Sequence, residues 1–438
     1  MRHWIFLALF FPTMLSAEIS PSSISSNHAS YEDSALVLKG NVELKHSLGL
    51  MKSGFARLDK KNQEGTFTTI HLRDNVSIVL KNRGVINCQT ADFDFSSLKA
   101  KLLPKKGEMV EFKNLSNSSF SLMSSLAEVE FSRGPGTVNI HKIEALDKVE
   151  IRYPKLFTLS ATRAICYTDS SLVEAEVPSK SNSKVIIFQP SGLLHSTPLV
   201  HGEGISFSSE KMVWEEETQQ LFLQGDVLLK EQSIGQIHCE DEIEVQQKQE
   251  EGKWIISTIT AKGKTVIDCA FEDDESTHQL TSYGTMLFDG GELRLTLQSP
   301  ENRPIVYCQN QMKLLANEAQ MHYASDGETI RPTKLFLKGN ILLTNLTKGA
   351  PHQCAFADQF TYLPDEKKVI LTTATDDNVL FWDGERELSI SASQIHITRD
   401  ETGESVKGIG NVRFAFSSEE NALLKKLFPF YRQKGESS

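Results

Sequence analysis

The stretch Leu335-Phe336-Leu337-Lys338-Gly339-Asn340-Ile341-Leu342-Leu343-Thr344 reads LFLKGNILLT. Near its start the chain reads LVLKGNVELK, from Leu36 to Lys45, and between the two it reads LFLQGDVLLK, from Leu221 to Lys230. Three versions of one phrase point to a repeat. Inside each version the apolar residues alternate. In Gly40 to Lys45, Val42 and Leu44 share one face of an extended chain, and Glu43 and Lys45 share the other. The Gly-Asn or Gly-Asp pair interrupts that alternation. Glycine before Asn or Asp accepts a positive φ, so the pair reads as a tight corner or bulge between two strands.

Weaker versions are RDNVSIV (Arg73 to Val79), DKVEIRY (Asp147 to Tyr153), KGKTVID (Lys262 to Asp268), DDNVLFW (Asp376 to Trp382) and IGNVRFAF (Ile409 to Phe416). The polar residue before the apolar pair falls at 41, 75, 148, 226, 264, 340, 378 and 411. The gaps are 34, 73, 78, 38, 76, 38 and 33, so the long ones are about double the short ones. A period of about 36 residues is in the range of solenoids and stacked arrays. A second element keeps pace, as in TADFDFSS (Thr90 to Ser97), LANEAQMHYAS (Leu315 to Ser325), FADQFTYLPDE (Phe356 to Glu366) and SASQIHITRDE (Ser391 to Glu401). Each is a small residue, a polar one, an alternating strand and a polar turn. One unit therefore reads as strand, Gly-Asn corner, strand, polar loop, strand, polar turn. Enrichment in Val, Ile, Thr and Phe supports strands. The expected fold is all-β: stacked antiparallel β-jellyroll or solenoid repeats in two lobes. The lobes are expected at 30–176 and 205–416, with the Pro/Ser-rich stretch 177–204 as linker or divergent repeat.

The flanks read differently. Arg2-His3, an apolar run from Trp4 to Phe11, and Leu15-Ser16-Ala17 have the layout of a cleaved signal peptide over residues 1–17, which places the mature chain outside the cytoplasm. Residues 417–438 read as a polar tail in which Asn421 to Phe428 is the one stretch expected to be helical. The formal net charge is −11, which disfavours nucleic acid, whose phosphates reward Lys/Arg clusters. No G-x-S-x-G, H-E-x-x-H, P-loop or EF-hand pattern occurs. No catalytic residue, metal site or cofactor is therefore expected, and the chain does not read as an enzyme. The Ile237-His238-Cys239-Glu240 run offers no convergent metal set, because neighbours on a strand point to opposite faces.

Six cysteines follow the leader: Cys88, Cys166, Cys239, Cys269, Cys308 and Cys354. An exported chain permits disulfides, and six residues allow fifteen pairings. Cys88, Cys239 and Cys354 lie 13 or 14 residues after the markers at 75, 226 and 340, which suggests one column of the stack, joined by Cys308. Neighbouring rungs sit about 5 Å apart, within disulfide reach. Cys308–Cys354 is the expected pair.

A unit of this size buries its apolar face only by stacking. If the sheets meet, the apolar strip is a core. If they part, it is a groove able to hold something long and apolar. The residues concerned are the apolar pairs after each marker: Val42 and Leu44, Val76 and Ile78, Val227 and Leu229, Ile341 and Leu343, Val379 and Phe381, Val412 and Phe414.

G-N-V-x-[LIF] copies at this spacing, interleaved with A-D-x-[AF]-x-[YF] runs, resemble the OstA-like family. Its members are periplasmic lipopolysaccharide-transport proteins and the N-terminal part of an outer-membrane translocon. The nearest match runs from Ala355 to Phe416, with ADQFTY, DDNVLFWDGERELSISASQIHITRD and VKGIGNVRFAF. The resemblance spans roughly Ala35 to Phe416 and thins between Asn114 and Gly202. It implies an open β-jellyroll that shields the acyl chains of lipopolysaccharide (lipid A) in the periplasm. Implied partners are other Lpt-type proteins, joined by edge-strand pairing, and an outer-membrane barrel. The chain departs from the family in being about twice the length of a single bridging domain, and no transmembrane barrel is expected within it. The alternative is an exported β-solenoid scaffold or adhesion protein with a filled core.

Overall fold

The computed structural model describes residues 23–60, 67–81, 84–114, 120–134, 137–154, 156–178, 182–189, 204–231, 234–250, 253–271, 277–325, 330–347, 350–374, 377–384, 388–400 and 403–415. The expected signal peptide and C-terminal helix lie outside these residues. Every regular element among them is a β-strand, and every pairing is antiparallel. The chain divides into two compact units, Met1–Ile151 with Arg163–Asp169, and Arg152–Thr162 with Ser170–Ser438. Within the 177–204 stretch, Val185–Gln189 is a strand paired on both sides, with Phe157–Tyr167 and Ile205–Ser209.

The Gly-Asn pair is a corner. In the first unit, Ala35–His46 pairs with Gly49–Lys60, but the register breaks between Lys39 and Val42, leaving Gly40 and Asn41 unpaired. Before the break the strand also pairs with His28–Glu32, and after it with Ser23–Ser25. One strand thus serves two sheets and bends between them. Gly40 and Asn41 have φ of +74° and +47°, two consecutive left-handed residues. Glycine enters that region without penalty, and Asn is among the few side chains that visit it readily. Asp74 and Asn75 (+66° and +57°) make the same bend in Phe67–Leu80, where the register breaks between Arg73 and Val76. Gly339 and Asn340 repeat it in the second unit at +85° and +49°, inside the 18-residue strand Ile330–Thr347.

In the second unit the strands sort into two antiparallel ladders. One holds Lys211–Glu215, Gln220–Gln224, Glu242–Glu250, Lys253–Lys262, Thr285–Asp289, Arg294–Gln298 and Glu318–Ser325 in sequence. The other holds Ile205–Ser209, Val227–Glu231, Gly235–Cys239, Thr265–Cys269, His278–Ser282, Ile305–Gln309 and Met312–Ala316. The chain lays two strands in one ladder and then two in the other. A repeat is therefore four strands, where the sequence suggests three. The strand the sequence hides precedes a second corner, which brings the chain back at a small residue without a Gly-Asn pair. Ser53, Ser124 and Ser209 stand there, each donating its hydroxyl to the carbonyl two residues on. Cys239 holds the equivalent place and points its thiol at the Glu242 carbonyl.

Alternation turns every second side chain of both ladders inward, and the inward sets face each other. Rings meet across the gap: Phe157 and Trp214 at 5.3 Å, Tyr307 and Phe360 at 6.1 Å. Burying each such Leu, Ile or Phe contributes about 1.5–3 kcal/mol, so the inner faces supply most of the driving force.

Candidate lipid site

Ten of the expected lining residues are inward and enclosed. Val42, Leu44, Val76, Ile78, Val227, Leu229, Ile341, Leu343, Val379 and Phe381 are at most 3% exposed. Val412 is half-buried, and Phe414, on the last described strand, is 53% exposed, so this pair is not enclosed. Along most of both units the inward rows are packed core.

In the second unit the ladders part beside Leu343 and Phe381. A cavity of about 200 Å³ lies between them, with Leu343, Phe381 and Met312 on one wall and Tyr362, Val369 and Ile397 on the other. Two expected residues, Leu343 and Phe381, reach it. They belong to one inward row, Leu314–Leu343–Ala355–Phe381–Ile390, set by the pairing register. Opposite, Val369 pairs with both Tyr362 and Ile397, which pairs with Val406. Val369 and Ile397 face inward yet are only half-buried, which marks the mouth.

One step toward that mouth the second ladder's row turns polar: Met312–Asn345–Gln353–Asp383. Asn345 Nδ2 donates to Gln353 Oε1 at 3.2 Å. Gln353 Nε2 donates to Asp383 Oδ2 at 3.1 Å and to Glu404 Oε1 at 3.0 Å. Glu404 belongs to the opposite ladder, so the Gln353 amide bridges the mouth. Asp383 is 1% exposed, and a carboxylate that deep requires such donors. Near Gln309 the cavity is bounded by a ring cluster. Phe271 meets His278 edge-on at 4.3 Å and Tyr362 at 5.4 Å, while His278 Nδ1 lies 2.7 Å from Tyr307 Oη. The site is therefore amphipathic, with an apolar interior and an amide and carboxylate rim. Among the described residues no group of three or more His, Cys, Asp or Glu side chains is placed to hold a metal ion.

Sequence reading missed Met312, Tyr362, Val369, Ile397 and the polar rim. Tyr362, Val369 and Ile397 lie on strands beyond the second corner, and the marker does not index them. Counting alternate positions on from Phe360 and Ile395 in the FADQFTYLPDE and SASQIHITRDE runs would have reached Tyr362 and Ile397.

The cysteine expectation is corrected. All six cysteines are free thiols. Cys239 closes a strand at a corner and is buried, but Cys354 sits one residue later in its repeat. A shift of one residue moves a side chain to the other face of a strand. Cys308 and Cys354 do share an outward column, Cys308–Lys313–Thr344–Cys354, but three strand spacings separate them. At about 4.8 Å per spacing that is roughly 14 Å, far outside disulfide range.

No protein-family model matches the sequence, and no curated protein matches it. Among solved structures the chain is similar to a crystal structure of LptH from Pseudomonas aeruginosa, described as the LptA-homologous periplasmic component of the conserved lipopolysaccharide transport device. That alignment is 10% identical, covers 32% of this chain and 94% of LptH, and has a TM-score of 0.25.

Proposed function

We propose that the chain is a periplasmic, non-enzymatic carrier that shields the acyl chains of lipopolysaccharide between its two ladders. The observation that supports this is the cavity between the ladders, where Leu343 and Phe381 meet free volume instead of packed side chains. An acyl end entering it gains about 0.8 kcal/mol per methylene removed from water. The rim suits the more polar part of the same molecule, since Gln353 and Asn345 offer amide donors and acceptors. Phosphates are disfavoured there by Asp383 and Glu404, so the headgroup stays outside. Edge-strand pairing with other Lpt-type proteins and delivery to an outer-membrane barrel complete this reading. The packed rows around Val42, Val227 and Leu229 favour a second one, an exported scaffold with a filled core.

A photo-crosslinking amino acid at position 343, in cells that make lipopolysaccharide, separates the two. Labelling of lipopolysaccharide from position 343 but not from the core position 229 supports transport. Labelling of protein alone at position 343 refutes it.

A further inference from the structure

The size and the charge of the cavity beside Leu343 and Phe381 both restrict what enters it. Its inner side is sealed. One step deeper than Leu343 and Phe381 lie the paired residues Ile341 and Ala357, then Val379 and Ala392, and none is more than 8% exposed. One step deeper on the opposite wall, the paired row Phe360–Leu371–Ile395 is fully enclosed. A chain that enters past Gln353 and Glu404 meets this floor. The volume above the floor sets how much chain fits. A cavity of about 150 Å³ holds benzene, with its six carbons, so about 200 Å³ holds about eight. Two chains side by side would have room for only about four carbons each.

The mouth sets the head. The charged groups among the lining residues and their hydrogen-bond partners are Asp383, Glu404 and Lys367. Two carboxylates against one ammonium leave the mouth negative. Lys367 stands on an exposed turn, where its amide N–H donates to the Pro364 carbonyl, whereas Asp383 is deeply buried. Both donors of the Gln353 amide already point at the carboxylates, so they do not offset an entering anion. Asn345 and Asn310 also line the cavity and present amide donors and acceptors to a guest.

We infer that this is a one-chain site. It takes a single alkyl chain to a depth of about eight carbons, joined to an uncharged head that exchanges hydrogen bonds, such as an amide or a hydroxyl. It discriminates against a chain that ends in a carboxylate. Wall size fixes the number of chains, and Asp383 and Glu404 fix the character of the head. The inference rests on the reading of this cavity as an acyl-chain site and narrows it to one chain and one class of head.

The test titrates the full-length protein with alkyl glucosides of six to twelve carbons, kept below micelle formation, and with octanoate. Ligand-observed NMR gives each Kd and the number of guests bound. Affinity should rise about fourfold per methylene to about eight carbons and then level, at one guest per chain. Octanoate should bind on the order of tenfold more weakly than octyl glucoside, a ratio that shrinks at high salt. In Glu404→Gln the mouth carries one carboxylate against one ammonium, and the ratio should fall below about threefold. Val369→Phe should remove binding of the whole series. Gains that continue to twelve carbons, two guests per chain, octanoate as tight as octyl glucoside, or undiminished binding in Val369→Phe overturn the inference. The length and head-group series are read on the unaltered protein, so they decide even if a variant folds poorly. Lipopolysaccharide labelled from position 343 without levelling at about eight carbons keeps the carrier reading and ends this one. Levelling without that labelling keeps a one-chain site and ends the carrier reading.

Discussion

Replacing Gly339 tests whether the Gly-Asn pair is a corner dictated by backbone conformation. Gly339 sits at φ +85°, and an added Cβ would stand 3.0 Å from Asn317 Nδ2 and 3.1 Å from its Cβ. A left-handed L-residue costs roughly 1–2 kcal/mol, and a β-branched one lies at the unfavourable end. Alanine recovers about 0.4–1 kcal/mol by restricting the unfolded chain. Gly339→Ala should therefore cost about 1 kcal/mol and Gly339→Val about 2 kcal/mol or more, with the Asn317 contact adding to both. Gly339→Asn should be the mildest, because Asn populates this region several-fold more often than other side chains. Hydrogen exchange read by mass spectrometry over Ile330–Thr347 reports the local opening free energy. About 2 kcal/mol corresponds to roughly 30-fold faster exchange, concentrated in this strand and its partners. Asn317→Gly should restore part of the loss in Gly339→Ala, because it removes the contact and leaves the φ cost. The order Val, Ala, Asn is the signature. Exchange in Gly339→Val within about threefold of wild type, or Asn as costly as Val, would show that the corner is held by something other than backbone preference.

Phe381→Ala removes a side chain 2% exposed and should cost about 3 kcal/mol, at the low end of the Phe→Ala range, because one side of the ring already faces free volume; urea unfolding followed by tryptophan fluorescence measures it, and a cost of 5 kcal/mol or more would mean that the site is tightly packed. Gln353→Leu takes one donor from the buried Asp383 carboxylate and cuts the bridge to Glu404, so it should cost about 1–3 kcal/mol, while Glu404→Gln, which keeps an acceptor for Gln353, should cost less than about 1 kcal/mol. In the first unit the Ser96 and Ser97 side chains hydrogen-bond Asp94 and hold its carboxyl down to about 2. A lowered carboxyl stabilises the fold above its unfolded value, near 3.9, and loses that contribution as pH falls through the folded value. Stability of wild type minus that of Asp94→Asn should be at most about 1 kcal/mol at neutral pH, given the exposed turn, and should vanish between about pH 4 and pH 2; a difference that grows on acidification contradicts this.

Period and alternation together made the fold class readable. A two-residue rhythm broken at fixed intervals by Gly-Asn has few physical solutions, and bent strands shared by two facing ladders are one of them. The strand before the second corner was not readable, because a small residue such as Ser124 or Ser209 has no left-handed requirement to mark where that strand ends. The cysteine column failed for a related reason: the offsets 13 and 14 look alike in sequence but have opposite parity on a strand. The cavity was half readable. Leu343 and Phe381 follow their markers just as Val227 and Leu229 do, yet the first pair borders free volume and the second is sealed.

What distinguishes those two places is the opposite wall. The row facing the cavity is Tyr362, Val369 and Ile397, and the same wall brings Glu404 to the Gln353 amide at the mouth. Deeper in the unit such a position is taken by Trp214, fully buried and edge-on to Phe157. Side chains of moderate size opposite Phe381 leave the gap unfilled, and the polar row at its rim keeps it reachable from water, since burying amides and carboxylates without partners would cost more than leaving the mouth wet. A cavity with an apolar floor and a hydrogen-bonding rim suits the end of an amphipathic chain better than it suits a void. Filling it from the far wall, with Val369→Phe, should therefore leave the fold intact and abolish lipopolysaccharide crosslinking from position 343. Loss of crosslinking from 343 in that variant with normal folding would place the guest inside the gap, whereas undiminished crosslinking would place it outside.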